Sequence, residues 1–356
     1  MLQTLHSIFS TLPFAVCLFW WAILLVRREQ WRLDRGALML SGFAFACTIL
    51  YFCHAVFFNG EESSMIRALY RLANLAVYPL FWLYIRTISE PDPLPLKAFW
   101  VLLPALAALM LSIVAYSLGE PADYADIPLR DVFLVEVVWV CLAGVHRLTE
   151  YDRRVENFYA DTERKSLAPM RSLLYLFVLI SFLSALANFL GRGLFQNTLL
   201  LAVPSLLFSV LLSCIFYTGI RLEYTAAEIA SAPAEGRETD EETEEFHQLM
   251  ERINTLMENR QLFRTPGLKI TDLATEMGTN RTYVSNCINR LAGQSFSDYV
   301  NAYRVRYAQI LMQMNDSGQT LAQIGQQAGF SGETSFFRNF KKVTGQTPME
   351  WLAGRE

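Results

Sequence analysis

Several features that would fix a function early are missing from this sequence. Cysteine is sparse, six in 356 residues, and no two stand in the C-x-x-C spacing of a zinc or redox site. Cys17, Cys47, Cys53, Cys141 and Cys214 fall inside apolar runs and read as small hydrophobes, while Cys287 stands alone further on. The four histidines (His6, His54, His146 and His247) form no metal-ligand spacing. No long apolar run contains a lysine, which excludes a retinal Schiff base. Nothing resembles the motifs of histidine kinases, nucleotide cyclases or peptidases, and no internal repeat of the transporter kind is visible. Charge is also scarce: 18% of residues, against 53% apolar. Soluble domains carry about 25% charged residues. No catalytic residue, metal or cofactor is expected.

The scarcity of charge is uneven. Apolar stretches long enough to cross a hydrocarbon layer of ~30 Å, about 20 helical residues each, recur near 6–26, 36–58, 68–86, 98–118, 131–147, 172–190 and 198–218. The first lacks the basic start and small-residue cleavage site of a signal peptide, and Arg27 and Arg28 follow it. Cations mark alternate loops. Arg27, Arg28, Arg32 and Arg35 lie in the first, Arg86 and Lys97 in the third, and Arg147, Arg153, Arg154, Arg164 and Lys165 in the fifth. The second loop, 59–64, has none, and the fourth and sixth have one each, Arg130 and Arg192. The positive-inside rule then puts the N-terminus outside and everything after residue 219 in the cytoplasm of a bacterial cell, with the bundle (1–220) in the inner membrane.

From Glu223 to Glu245 the texture changes to nine acidic residues against one basic. Such a stretch cannot bury a core, so 221–244 reads as a flexible acidic linker. Residues 245–261 then carry one apolar stripe, Phe246, Leu249, Met250, Ile253, Leu256 and Met257. Two heptads are too few for a coiled coil, and packing on the next domain is favoured over a dimer stalk.

In KITDLATEMGTNRTYVSNCINRL (269–291), Thr271 is expected to cap a helix whose inner face is Ile270, Leu273, Ala274 and Met277. Gly278 turns, and Asn280 caps a second helix anchored by Val284, Cys287, Ile288 and Leu291. Arg281, Thr282, Ser285, Asn286 and Asn289 are left facing out, the pattern of a helix-turn-helix. TLAQIGQQAGFSGETSFFRNFKKVTG (320–345) repeats it. Leu321, Ile324 and Ala328 face in, Gly329 turns, Ser331 is the expected cap, and Phe336, Phe340 and Val343 anchor. Glu333, Thr334, Phe337, Arg338 and Lys341 form the exposed set. Between the units, Phe296, Tyr299, Val300, Tyr303, Tyr307, Ile310, Leu311 and Met314 trace one stripe of a connecting helix.

The stretch from about 262 to 352 resembles the DNA-binding domain of AraC-type transcription regulators. The resemblance rests on Gly329, Phe330, Ser331, Phe336, Arg338, Phe340, Lys341, Lys342, Gly345, Thr347 and Pro348, with Arg304 and Ala308 in the connecting helix. It implies two recognition helices entering adjacent major-groove segments about one turn, ~34 Å, apart. It also implies base-facing residues Thr282, Ser285 and Asn286, and Glu333, Thr334, Phe337 and Arg338. Lys341, Lys342 and Arg304 are assigned to phosphates or structural ion pairs. Asn286, where a basic residue is common, and Ser335, where an aromatic is frequent, depart from the pattern. A charge of about +4 over 262–347 implies modest, salt-dependent non-specific affinity.

The expected architecture is therefore all-α: a seven-helix transmembrane bundle followed by a DNA-binding domain over 262–356. Charges within a bilayer cost about 2.5–3.5 kcal/mol each, so the intramembrane ones draw notice. Arg67, Arg71 and Asn74 share a face of the third segment, His54 ends the second on the same side, and Glu136 lies in the outer half of the fifth. Together they are read as lining an outward pocket for an anionic or zwitterionic ligand. Alternatively, the arginines snorkel to lipid headgroups and Glu136 pairs with one of them. The resulting expectation is a membrane-embedded one-component regulator, with promoter DNA, lipid, a small-molecule or envelope signal and a second copy of the chain as partners. The rival is a transporter or membrane enzyme with a C-terminal protein-interaction module.

Overall fold

A computed structural model describes residues 2–26, 35–58, 63–118, 126–163, 165–190, 198–221, 242–314 and 318–354. The loops 27–34, 59–62, 119–125 and 191–197, which carry much of the charge alternation, and the acidic stretch 222–241 lie outside these residues. Among the described residues the secondary structure is helical, with one isolated bridge between Tyr159 and Lys269. The chain divides into two compact units that do not follow sequence order. One comprises Met1–Tyr151 and Leu167–Ala226, the other Asp152–Ser166 and Ala227–Glu356.

The first unit contains α1 (Leu2–Val26), α2 (Arg35–Phe58), α3 (Ser64–Ser89), α4 (Leu103–Ser117), α5 (Asp126–Phe158), α6 (Ala168–Leu190) and α7 (Thr198–Arg221), with a 3-10 turn Leu96–Leu102 leading into α4. The last turns of α5 run into the second unit. In sequence order α1 packs on α2, α2 on α3 and α3 on α4; α7 returns to lie against α1, α2 and α6. Rings from four helices meet at the centre: Phe43 of α2 lies 4.9 Å from Phe81 of α3, 6.1 Å from Phe177 of α6 and 5.6 Å from Phe216 of α7.

Six described helical stretches are long and apolar enough to cross a membrane, one fewer than the sequence suggested. The missing one is α3. At 26 residues it spans roughly 39 Å, so length is not what it lacks. Arg67, Arg71 and Arg86 lower its hydropathy, while Tyr78 and Phe81 through Ile85 are buried. Neighbouring helices wrap α3, and a wrapped helix can carry charge because its polar side chains face protein rather than lipid. At its C-terminal end Arg86 and Arg147 both pair with Glu90. Their guanidinium groups lie 5.6 and 5.5 Å from the Trp82 ring.

The second unit holds α8 (Glu242–Asn259), α9 (Ile270–Met277), α10 (Arg281–Cys287), α11 (Phe296–Gln313), α12 (Leu321–Gln327), α13 (Glu333–Thr344) and α14 (Pro348–Ala353). The apolar stripe of α8 (Phe246, Leu249, Ile253 and Met257) is buried against α9 and α10, so this helix packs on its own domain. The central α11 is buried more widely than one stripe. Phe296, Tyr299 and Val300 lie inside as expected, and so do Ser297, Asn301, Arg304, Val305, Ala308 and Met312. Ile310 and Met314, expected inside, are exposed. A connecting helix flanked by two helix-turn-helix units has core on two sides, which a single stripe does not capture.

Candidate nucleic-acid interface and the bundle cavity

Each helix-turn-helix unit is built by local chemistry. In the first, α9 begins one residue before the expected cap Thr271: the Asp272 carboxylate accepts the Lys269 N–H at 2.9 Å. Ile270, Leu273, Ala274 and Met277 are all buried. Gly278 ends the helix in the left-handed region (φ +67°), a conformation that favours glycine. Asn280 Oδ1 then accepts the Tyr283 N–H at 2.8 Å to start α10. In the second unit Thr320 and Gln323 cap α12 reciprocally. Gly329 turns at φ +97°, and its missing side chain is required twice over. A Cβ there would lie 2.7 Å from Arg264 Cα and 2.8 Å from the Phe263 carbonyl oxygen. The N-cap of α13 is Gly332 rather than Ser331.

The two second helices differ in exposure. On α13, Glu333, Thr334, Arg338 and Lys341 stand in solvent, while Phe336 and Phe340 fill the core beneath. Phe337, expected to be exposed, is partly buried against that core, and Val343, expected to anchor, is 45% exposed. Ser335 is buried with Asn339, whose Nδ2 donates to its hydroxyl oxygen at 3.4 Å. Lys342 Nζ pairs with Asp298 at 2.6 Å. On α10, Arg281, Thr282, Ser285 and Asn286 are all half-buried. The Arg281 guanidinium lies 5.1 Å from the centre of the Phe158 ring, and burial lowers its pKa from the ordinary arginine value.

Phe158 belongs to a segment that no sequence pattern connected with this domain. Asp152–Ser166 comprises the last turns of α5 and the chain leading on to α6, and is part of the second unit. The Ala160 N–H donates to the Leu268 carbonyl at 3.0 Å. The Ala160 carbonyl accepts from Ser297 Oγ at 2.9 Å and Asn301 Nδ2 at 3.2 Å. Asp161 accepts the Gly267 N–H and pairs with Arg304. Glu163 borders Gly332 at the start of α13. Arg304 is therefore a structural ion pair, one of its two expected roles. The aromatic pair Phe158–Tyr159 in an otherwise polar loop was the one available cue.

The residues read as a pocket in the first unit are partly gathered by the fold. A cavity of about 370 Å³ is lined by His54, Arg67, Arg71 and Asn74, with apolar and aromatic side chains around them. Glu136 is buried but is not among the lining residues, and neither of its carboxylate oxygens has a hydrogen-bond partner among the described residues. Arg71 is 5% exposed, and its Nη1 donates to Ser112 Oγ at 3.1 Å.

Residues 273–354 match the family described as a helix-turn-helix domain. Proteins of Staphylococcus aureus strains MSSA476, N315 and MW2, each named an uncharacterized HTH-type transcriptional regulator, are 27% identical to this chain over 105 residues. That alignment covers 30% of this chain and 14% of each relative, so the chain spans only that fraction of the relatives it matches. A solved structure of a Listeria innocua protein of unknown function is 26% identical, covering 29% of this chain and 94% of its own, with a TM-score of 0.26. No weight rests on that likeness. The family match and the paired helix-turn-helix geometry together make residues 273–354 a helix-turn-helix domain.

Proposed function

We propose that this protein is a membrane-embedded one-component transcription regulator, in which the apolar bundle senses a signal and the helix-turn-helix domain reads a promoter. The observation that carries the DNA-reading half is α13. One face fills the core with Phe336 and Phe340, and the other presents Glu333, Thr334, Arg338 and Lys341 to solvent. A helix of that kind, opening after a glycine turn, is what the major groove admits. In this reading Arg338 donates twice to a guanine edge and Lys341 meets phosphate.

Membrane insertion is supported by six helices long and apolar enough to span. Control is supported by the composition of the second unit. The chain passes into it at Asp152, leaves at Ser166 and re-enters at Ala227. The DNA-binding domain thus shares a core with the segment joining α5 to α6. That segment bonds to the Leu268 backbone and to Arg304 and lies against Arg281, and in this proposal it is the part of the domain through which a signal biases DNA binding. The N-out orientation, the acidic tether and a homodimer belong to the same proposal.

The test uses the full chain in lipid nanodiscs, mixed with random genomic fragments and its own upstream region at several salt concentrations. The expected result is saturable, sequence-selective retention. Arg338→Ala should weaken the selected site by roughly 5- to 150-fold, the range of a lost bidentate pair. Lys341→Ala should weaken all sequences alike and flatten the salt slope by about one unit. Lack of selectivity from a folded protein would make the C-terminal domain an interaction module.

A further inference from the structure

We infer that Phe158–Glu163 is an autoinhibitory strap, whose two ends lie on the starts of the two reading helices and keep DNA from them. The inference rests on the reading of the second unit as a DNA-binding domain. To that reading it adds the direction of control: with the strap in place, DNA is shut out.

The strap is the run FYADTE, two rings and two acids without a cation. It belongs to the second unit, and its middle is anchored there. Ala160 donates to Leu268 and accepts from Ser297 and Asn301. Asp161 holds Arg304 and the Gly267 N–H. These bonds fix the strap to α11 and to the turn that precedes α9.

From the anchor, one end reaches each reading helix. Phe158 lies 5.1 Å from the guanidinium of Arg281, the first residue of α10. On the other side, a Glu163 carboxylate oxygen stands 3.6 Å from where a Cβ on Gly332 would be, and Gly332 is the N-cap of α13. The Tyr159 ring also lies 5.8 Å from the Lys269 ammonium, at the N-cap of α9. Three helix starts, drawn from both helix-turn-helix units, thus meet one short strap.

Those are the places DNA needs. A recognition helix enters the major groove with its N-terminal residues toward the base edges. Arginine and lysine side chains and the N–H groups of helix starts are what hold phosphates. The strap offers these groups what a nucleic acid offers them, ring faces and anionic oxygens. At α13, which has no side-chain cap, the Glu163 carboxylate stands in the approach and repels a phosphate. Complete release of the strap would leave the buried Arg304 without its Asp161 partner, a costly state. Opening is therefore confined to the ends, and the strap works as a gate rather than a detachable inhibitor.

Filter binding by the full chain in lipid nanodiscs, with the selected upstream fragment over a series of salt concentrations, tests the strap. Glu163→Gln removes the charge, keeps the size and leaves the anchor untouched. It is expected to bind about 2- to 5-fold more tightly at low salt, the effect of one charge at a helix start. The gain should fade as salt screens it. Glu163→Ala should gain at least as much, and Tm should stay unchanged in both. Combined with Phe158→Ala, the Glu163→Gln gain should multiply, because the two ends touch different helices. Unchanged or weaker binding by both Glu163 variants, or a double variant no tighter than Phe158→Ala alone, would overturn the strap and leave a DNA-reading domain standing. No selective binding by wild type or by any variant would instead fail the regulator reading, and the strap with it.

Discussion

Arg304 Nη1 donates to Asp161 Oδ1 at 2.8 Å across 143 residues of sequence. The two belong to different parts of the chain, Asp161 to the segment between α5 and α6 and Arg304 to the connecting helix α11. The guanidinium is fully buried and also donates to the Phe263 carbonyl at 2.7 Å and the Thr265 carbonyl at 3.0 Å. Burial lowers its pKa from the ordinary arginine value, and the Asp161 charge opposes that shift. The domain interior therefore contains a cation whose only neutralising partner among the described residues comes from the segment that leads back to α6.

The first prediction concerns that pair. Asp161→Ala leaves a buried guanidinium without its counter-charge and the Gly267 N–H without its acceptor. Breaking a buried pair from one side costs about 3–5 kcal/mol. The expected outcome is a loss of about 3 kcal/mol, since Asp161 retains slight exposure. Asp161→Asn should lose less, because an amide oxygen still accepts one hydrogen bond. Amide hydrogen exchange over Phe296–Gln313 in the full chain reads the loss directly. Unchanged protection in the alanine variant would mean that the segment rests on the domain without contributing to its stability.

A second prediction separates two glycines that look alike in sequence. Gly278 and Gly329 each end the first helix of a helix-turn-helix at positive φ, +67° and +97°. At Gly278 a Cβ meets nothing within 4 Å, whereas at Gly329 it meets the backbone of Phe263 and Arg264 at under 3 Å. Gly278→Ala therefore pays mainly the left-handed penalty, about 1 kcal/mol. Gly329→Ala adds a clash with backbone that cannot rotate away, for a total on the order of 4 kcal/mol. Protease resistance of the second unit on heating should rank wild type, Gly278→Ala and Gly329→Ala in that order. Equal effects would contradict the close approach at Gly329.

What the sequence made legible was whatever one helix decides for itself. The inner face of α9, the Gly278 turn and the Asn280 cap followed from spacing and cap chemistry, as did the anchors Phe336 and Phe340. Features set by a second surface were not legible. Val343 has the right period to be buried, but the core beneath α13, built on Phe336 and Phe340, does not extend to it. Phe337 sits on the expected outer face, yet it packs against the core beside Phe336. Ser331 is a good capping residue one position too early, because the turn at Gly329 sets where α13 begins. In the bundle, the four cavity-lining residues were found because polar groups are conspicuous among apolar ones. Glu136 was grouped with them on depth alone, and depth does not tell which way a helix is rotated. The pairing of Asp161 with Arg304 left no trace in periodicity, which reports only on neighbours within one element.

The last prediction concerns Phe158 and Arg281. Arg281 opens α10, at the position from which a recognition helix first meets DNA, yet its guanidinium rests over the Phe158 ring and is half-buried. A cation–π contact of this kind is worth about 0.5–2 kcal/mol, and in the proposed reading DNA binding through α10 releases it. Phe158→Ala removes the ring while leaving the Ala160 and Asp161 contacts in place. If the segment restrains the first reading helix, the variant should bind its selected DNA site about 2- to 10-fold more tightly, within the range of the released contact. The salt dependence should also become steeper by up to one phosphate contact. Arg281→Ala should weaken binding, and the double variant should match Arg281→Ala alone, since the ring then has nothing to hold. Filter binding by the full chain at a series of salt concentrations distinguishes these cases. An unchanged or weaker affinity for Phe158→Ala would show that Arg281 serves packing of α10 against the segment, leaving α13 as the main reading helix.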